Sequence, residues 1–317
     1  LAGSPGKAFI AGADIKEFGK PRPPGEPTLL DLVSALENSS KPVVAAIHGM
    51  ALGGGLEIAM ACNYRTAIKD AKLGQPEVKI GLPPGAGGTQ RLPRLVGMEK
   101  ALDMIVSGNP ITARDGLNCR LVDEIVVELV GDTVDFLNQK LSETSTHPKV
   151  RDLTVDPSST SMISNYKSKI EIKARGRNAP FACIECLQAA VDLPFDQGIA
   201  KEREIFEASI RSIESRAMRY VFFSERQVSK VPGINRETTT REIDSAAVLG
   251  AGTMGVGIAM NFANAGIPVK LLDQDQSLLD KGMAIIAKNY AATVRKGRLT
   301  QAAMDDRLEL ISTTLDF

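Results

Sequence analysis

The rhythm of apolar and polar positions changes along the chain. Between Leu1 and about Leu141, short β-like apolar runs at Val43 to Ile47 and Tyr64 to Ile68 alternate with helical stretches at Leu29 to Glu37, Leu56 to Cys62 and Lys100 to Ser107. Glycine-rich turns separate them. That alternation predicts an α/β architecture. From Thr144 to Ser164 the composition turns polar and rich in Ser, Thr and Pro, which predicts a surface connection. From Lys167 to about Val228 apolar residues return at helical spacing, among them Ile199, Ile205, Ile210, Ile213 and Met218, with breaks near Pro180 and Pro194. Gly233 to Ser245 is polar again and reads as a linker. Beyond it a strand (Ala246 to Gly250), a helix (Thr253 to Ala265), a strand (Val269 to Leu272) and a long helix (Leu278 to Arg295) follow in β-α-β-α order, the opening of a doubly wound sheet. No internal repeat is visible.

Composition narrows the function class. With 317 residues, 43% of them hydrophobic and 24% charged, the chain has the make-up of a soluble globular protein and the length for two domains. Lys plus Arg equals Asp plus Glu at 38 each, so no overall field favours nucleic acid or an anionic membrane, and an anionic ligand would have to be held locally. The uncharged stretch Val43 to Leu56 is shorter than a bilayer span and is interrupted by His48, Gly49, Gly53, Gly54 and Gly55, which argues against membrane insertion there. Four scattered cysteines and no signal-peptide pattern suit a reducing, intracellular setting. Cys183 and Cys186 form a C-x-x-C, but on a helix over Phe181 to Val191 they are expected to pack one turn apart rather than bind metal or act in redox chemistry. Both ends, Leu1-Ala2-Gly3-Ser4 and Leu315-Asp316-Phe317, read as strand running into loop, so the sequence is expected to be a fragment.

Two glycine-bearing loops follow apolar runs, Ala11-Gly12-Ala13-Asp14 and Gly53-Gly54-Gly55-Leu56-Glu57. The second turns directly into a helix, whose N-terminus presents unpaired N–H groups and positive potential. One N–H from each loop could converge on a single carbonyl oxygen and stabilise a thioester enolate. Glu57 falls about one turn after Gly54, within reach of that oxygen. Twenty residues on, Gln75-Pro76-Glu77 places a second carboxylate ahead of the turn Gly81-Leu82-Pro83-Pro84-Gly85. Two carboxyl groups in one apolar pocket can divide labour as acid and base. Taken singly, each glutamate reads as a solvated surface residue and the triple glycine as a tight turn. His48, with no acidic or nucleophilic partner placed for it, reads as structural, and Asp14 reads as a loop cap.

These residues, with Ala11-Gly12-Ala13-Asp14-Ile15, Lys41-Pro42-Val43-Val44-Ala45-Ala46-Ile47 and Gly85-Ala86-Gly87-Gly88-Thr89-Gln90-Arg91-Leu92-Pro93-Arg94, resemble the enoyl-CoA hydratase/isomerase (crotonase) family over residues 1 to about 190. The resemblance implies a crotonase-type ββα module whose N-terminal part is missing. It implies that the Ala13 and Gly54 amides form the oxyanion hole, that Glu57 and Glu77 are the catalytic pair, and that the backbone of Ala11, Asp14 and Ile15 borders the CoA nucleotide, with Lys16 near a phosphate. Reversible hydration of a 2-trans-enoyl-CoA is the expected reaction. The presence of both glutamates favours hydration, since isomerisation needs only one acid/base, and Glu77 could also serve double-bond isomerisation.

Gly250-Ala251-Gly252-Thr253-Met254-Gly255 is a G-x-G-x-x-G, weak alone but here placed between a strand and a helix, with Asp273 ending the next strand. Gly250, Gly252, Thr253, Met254 and Gly255 would hold a pyrophosphate, and Asp273 would accept the ribose hydroxyls, favouring NAD over NADP. The segment resembles the NAD-binding part of the 3-hydroxyacyl-CoA dehydrogenases. The order of modules, joined through Leu193-Pro194-Phe195-Asp196-Gln197-Gly198-Ile199, resembles the multifunctional fatty-acid β-oxidation enzymes of peroxisomes and bacteria. The expected layout is therefore a crotonase module over 1–190, a helical linker region over 191–244, and the first half of a Rossmann doubly wound sheet over 245–317.

That resemblance implies an acyl-CoA substrate, NAD, no metal, and a peroxisomal or bacterial cytoplasmic setting. It leaves open whether the chain pairs with a thiolase or stands as a monomer. The dehydrogenase's catalytic histidine is expected beyond Phe317, with His147, in the polar Thr144 to Pro148 segment, exposed and uninvolved. The competing readings are a catalytically silent CoA- or NAD-binding scaffold and a crotonase isomerase fused to an unrelated Rossmann domain.

Overall fold

The computed structural model describes residues 1–4, 6–20, 23–228, 230–235 and 237–316. Phe317, the end of the expected NAD-binding segment, lies outside them. Two compact units divide the chain, Leu1–Lys230 and Val231–Phe317.

In the first unit, α1 (Leu29–Glu37) starts at a capping box in which Thr28 and Asp31 satisfy each other's backbone. The chain continues through β1 (Val44–Ile47), β2 (Met50–Leu52), α2 (Gly54–Ala61), β3 (Tyr64–Ile68), β4 (Lys72–Gly74), α3 (Gly88–Val96), α4 (Met98–Ser107), β5 (Ile111–Thr112), α5 (Ala113–Asn118), β6 (Glu124–Val126) and α6 (Leu129–Glu143). Strands β1, β3 and β6 form one parallel sheet. In the other, β2 pairs parallel with β4, which pairs antiparallel with β5. The N-terminal residues extend both sheets, Ala2 bridging Ala46 and Ile10 bridging Ala51. β1 is buried at every position, as expected for a strand covered on both faces. Helix α2 is buried almost all round, and Leu56 and Met60 from it pack with Ile47, Leu73, Leu92 and Leu102 in the core. Arg65 is the charged residue of β3. It is tolerated because Asp123, Leu121 O and Cys62 O take its guanidinium.

The polar stretch read as a surface connection is helical over its last six residues, where α7 (Ser159–Ala174) begins. The buried residues Ser159, Ile163, Ile170 and Ala174 form a narrow stripe that the surrounding Ser, Thr and Asn mask in sequence. Helices α8 (Ala179–Asp192), α9 (Phe195–Arg211) and α10 (Ile213–Val228) follow. The latter two lie inside the stretch read as a linker region, yet they pack on the first unit. Ser215 Oγ of α10 donates to Ile80 O at 3.0 Å, Arg219 Nη1 donates to Phe18 O at 3.1 Å, and the Phe206 ring of α9 meets Phe18 edge-on. Residue 190 is thus not where the contacts divide; they divide at Lys230.

The second unit runs β7 (Ala246–Leu249), α11 (Thr253–Asn264), β8 (Val269–Leu272), α12 (Gln276–Arg295), α13 (Gln301–Glu309) and β9 (Ile311–Thr314). The three strands are parallel, with Val248 beside Leu271 and Leu271 beside Thr313. Val256 and Ala259 of α11 and Leu279 and Ile286 of α12 cover the sheet. No residue of α13 is fully buried, so this helix leaves little apolar period to read.

Candidate active site

The site begins where β2 turns into α2. Gly53 takes φ 54° and ψ −127°, a left-handed conformation that favours glycine, while its N–H donates to Gly74 O at 2.9 Å. Gly55 is required by space: a Cβ there would lie 2.1 Å from Ile10 O. That close approach lays the Ala11–Asp14 loop across the start of α2. A Cβ built on Gly54 would stand 3.8 Å from Ala13 N and 3.9 Å from Glu57 Oε2. Among the described residues neither the Ala13 nor the Gly54 amide has a hydrogen-bond acceptor. Two free donors from two loops therefore lie close together at a helix N-terminus, beside a carboxylate.

Glu57 is buried, and its Oε1 accepts the N–H groups of Ala86 at 2.7 Å and Gly88 at 2.8 Å. Its Oε2 lies beside Gly54, 3.9 Å from where a Cβ there would sit. Burial raises its pKa, opposed by those two N–H groups and by the Arg91 guanidinium. Glu77 is half-buried, at the first position of a single 3-10 turn, Glu77–Ile80, and its Oε1 lies 2.8 Å from where a Cβ on Gly53 would sit. With its amide nitrogen turned toward Glu77, buried Gln75 donates to Oε1 at 3.0 Å and to Oε2 at 3.2 Å. Burial pushes the Glu77 carboxyl well above the ordinary range, and the charges of Glu57 and Glu202 add to the effect. The pair is thus differentiated: Glu57 has two backbone donors holding its ionised form, while Glu77 is driven toward its protonated form.

A third carboxylate, Glu202 of α9, was not singled out by the sequence. It is buried and accepts Gly87 N–H at 2.5 Å, Thr89 N–H at 2.9 Å and the Thr89 hydroxyl. Burial, with Glu57 adding repulsion, pushes it up to about 8. The signal available in sequence was an ionisable residue on the stripe Gly198, Glu202, Ile205, all buried in α9. Behind the loop, Arg91 donates to Glu37 at 2.8 Å and to Ala86 O at 3.1 Å, both side chains being buried. The guanidinium of Arg91 stands 5.1 Å from the centre of the Phe195 ring.

The other residues named from sequence fall as follows. Asp14 caps the Ile15–Glu17 turn, accepting from Lys16 N at 2.9 Å; Ala11 and Lys16 are exposed and Ile15 is half-buried. The His48 ring lies against the N-terminal segment, its Nε2 at 3.2 Å from Ser4 O. His147 is not exposed as expected. It is half-buried because its ring packs edge-on against Tyr64, and its Nδ1 lies 3.1 Å from the Tyr64 hydroxyl. Cys183 and Cys186 face the core from α8, their thiols pushed up by burial.

In the second unit the glycines of the fingerprint have different jobs. Gly250 takes φ 98°, and a Cβ on Gly255 would lie 1.7 Å from Gly250 O, so the helix can approach the turn only without a side chain. Gly252 caps α11 with open space where its Cβ would be, as an approaching pyrophosphate requires. Asp273 accepts Ala251 N–H at 2.7 Å through Oδ2 and Gln274 N–H at 2.7 Å through Oδ1, which fixes it beside the turn. These residues fit a dinucleotide: a free helix start for the phosphates and an acid for a ribose.

Residues 1–155 match the family model described as enoyl-CoA hydratase/isomerase, and residues 245–317 match that of the 3-hydroxyacyl-CoA dehydrogenase NAD binding domain. The human peroxisomal bifunctional enzyme is 41% identical over 286 residues, covering 88% of this chain and 39% of that protein. The guinea pig (Cavia porcellus) enzyme of the same name is 38% identical, covering 92% and 41%. The peroxisomal fatty acid beta-oxidation multifunctional protein of Arabidopsis thaliana is 33% identical, covering 100% and 46%. The chain thus spans less than half the length of these relatives.

Proposed function

We propose that the chain serves fatty-acid β-oxidation, its first unit hydrating 2-trans-enoyl-CoA thioesters, because residues 1–155 match the enoyl-CoA hydratase/isomerase model and residues 245–317 that of the 3-hydroxyacyl-CoA dehydrogenase NAD binding domain. One observation carries this reading: the acceptor-free Ala13 and Gly54 amides beside Glu57 Oε2. A thioester oxygen held by both donors gains negative charge as water adds to C3, and the donors stabilise that charge without reorganising. Glu57 Oε2 takes the water's proton as the C3–O bond forms. The resulting enolate collapses when C2 takes the proton carried by Glu77, whose protonated form is favoured by burial and by the charges of Glu57 and Glu202. Microscopic reversal gives dehydration through the same groups.

The helices after residue 190 are proposed as part of the hydratase unit, since α9 packs on the loop that holds Glu57. The unit from Val231 onward is proposed to bind NAD through Gly250, Gly252, Thr253, Met254 and Gly255, with Asp273 on a ribose. When bound, NAD supplies the hydride acceptor for a 3-hydroxyacyl-CoA. The relatives' names point to a peroxisomal setting. The test is Glu57→Gln: Oε1 keeps its role as acceptor for Ala86 and Gly88, whereas the position of Oε2 can no longer take a proton. The kcat for hydrating 2-butenoyl-CoA, followed by loss of the conjugated thioester absorbance, should fall at least about a hundredfold with KM little changed. Turnover near wild type would end the two-carboxylate mechanism.

A further inference from the structure

Four consecutive backbone N–H groups, those of Ala86, Gly87, Gly88 and Thr89, are shared alternately between two buried glutamates. Ala86 and Gly88 donate to Glu57 at 2.7 and 2.8 Å; Gly87 and Thr89 donate to Glu202 at 2.5 and 2.9 Å. The two carboxylates thus hold one short strip of main chain between them, one from α2 and one from α9. The strip has little freedom otherwise. Gly87 holds φ 94°, with Ile199 Cδ1 of α9 2.9 Å from where a Cβ would sit, and a Cβ on Gly85 would stand 2.5 Å from the Phe206 ring. Helix α9 therefore packs closely on the loop at Gly85 and Gly87, where no loop side chain intervenes.

From this geometry we infer that Glu202 is a positioning residue for hydration: by fixing the Gly87 and Thr89 amides it aims the Ala86 and Gly88 amides at Glu57 and so fixes the direction of Glu57 Oε2. The inference rests on the hydratase reading above and adds a residue from a helix beyond the matched hydratase/isomerase segment. The physical reason is that Glu57 is hydrogen-bonded chiefly by the loop. Freeing every second amide lets the remaining two rotate, and the base rotates with them. A misplacement on the order of 1 Å at a reacting group costs about a hundredfold in rate, so even a partial loosening is measurable. Glu202 does not itself touch the proposed substrate position.

The 317-residue protein and its Glu202→Ala and Glu202→Gln variants are compared in two assays. With 2-butenoyl-CoA, Glu202→Ala should lower kcat at least about tenfold and leave KM within about threefold, because binding donors are untouched while the base is misaimed. Glu202→Gln, which retains one acceptor oxygen, should recover part of that loss. In hydrogen–deuterium exchange, the amides of residues 86–89 should exchange faster in both variants, most in Glu202→Ala, with β7 to β9 unchanged. Wild-type exchange in this strip, or a kcat within twofold of wild type in Glu202→Ala, overturns the proposal; so does a Gln variant no better than Ala. Should Glu202→Ala fail to fold, the exchange of Glu202→Gln decides alone, wild-type protection being the negative result. A wild-type protein that hydrates no enoyl-CoA sinks the hydratase reading instead, and the exchange data still answer whether Glu202 holds the loop.

Discussion

Replacing Gly55 by alanine tests whether two separate loops share one carbonyl oxygen. The added methyl would lie 2.1 Å from Ile10 O and 2.8 Å from Ile10 C. A comfortable carbon–oxygen contact is about 3.3 Å, so Ile10 must retreat by roughly 1 Å or the start of α2 must yield as far. Ile10 O also accepts the Leu52 N–H at 3.1 Å, and Ile10 bridges Ala51, so the retreat loosens the only ladder that ties this loop to β2 among the described residues. Overpacking of this kind costs about 1–3 kcal/mol of stability. The consequence for catalysis is larger, because Ala13 lies three residues beyond Ile10 and its amide moves with the loop. Losing one oxyanion donor costs about 10²–10³ in kcat, about 2.7–4 kcal/mol. The assay is 2-butenoyl-CoA hydration alongside thermal unfolding. Gly131→Ala is the control: it sits in α6 with nothing within 4 Å of its Cβ position and should be neutral to slightly stabilising, by about 0.5–1 kcal/mol. A folded Gly55→Ala protein with kcat within about threefold of wild type would refute the convergent-donor argument.

Two other expectations follow from the electrostatics and the fingerprint. Folded Glu202 keeps its proton up to about pH 8, whereas an unfolded glutamate releases it near 4.5, so the folded state binds more protons across that window and its stability falls as pH rises through it. Glu57 and Glu77 are raised too and act with the same sign. Urea unfolding of the first unit from pH 5 to pH 8 should therefore show declining stability, by about 1.4 kcal/mol per pH unit for each proton so retained. Glu202→Gln should flatten the slope, and an unchanged slope would contradict the burial argument. Asp273→Ala should weaken NADH binding in a fluorescence titration and relax discrimination against NADPH, since it removes both the ribose acid and the acceptor for Ala251 N–H. Hydration should persist, and its parallel loss would show that the two sites are not separate modules.

Local order was largely legible. Leu29–Glu37, Tyr64–Ile68 and Val269–Leu272 are found where apolar spacing places them, because each carries its own periodicity and stop signals. Helix α7 and helix α13 were not, since one hides a thin buried stripe in Ser and Thr and the other buries no residue fully. In the site, the glycines of the Gly53–Gly55 turn and the carboxylates Glu57 and Glu77 stood out as residue types with a chemical use at a short spacing.

What the sequence alone determined, then, is what short-range physics encodes: strand-turn-helix units, glycines where a side chain cannot fit, and a dinucleotide turn with its acid. The pairing of donors to acceptors was decided only in three dimensions. Glu57 draws its hydrogen bonds from residues 29 and 31 positions further on, and Glu202 reaches Gly87 across 115 positions. Such partners share no local pattern, because they are set by how α9 packs on the loop rather than by any period within either segment. The same packing makes α9 and α10 part of the first unit rather than a linker. The helical spacing of their apolar residues shows that these helices are amphipathic; only the tertiary structure shows which surface their apolar faces cover.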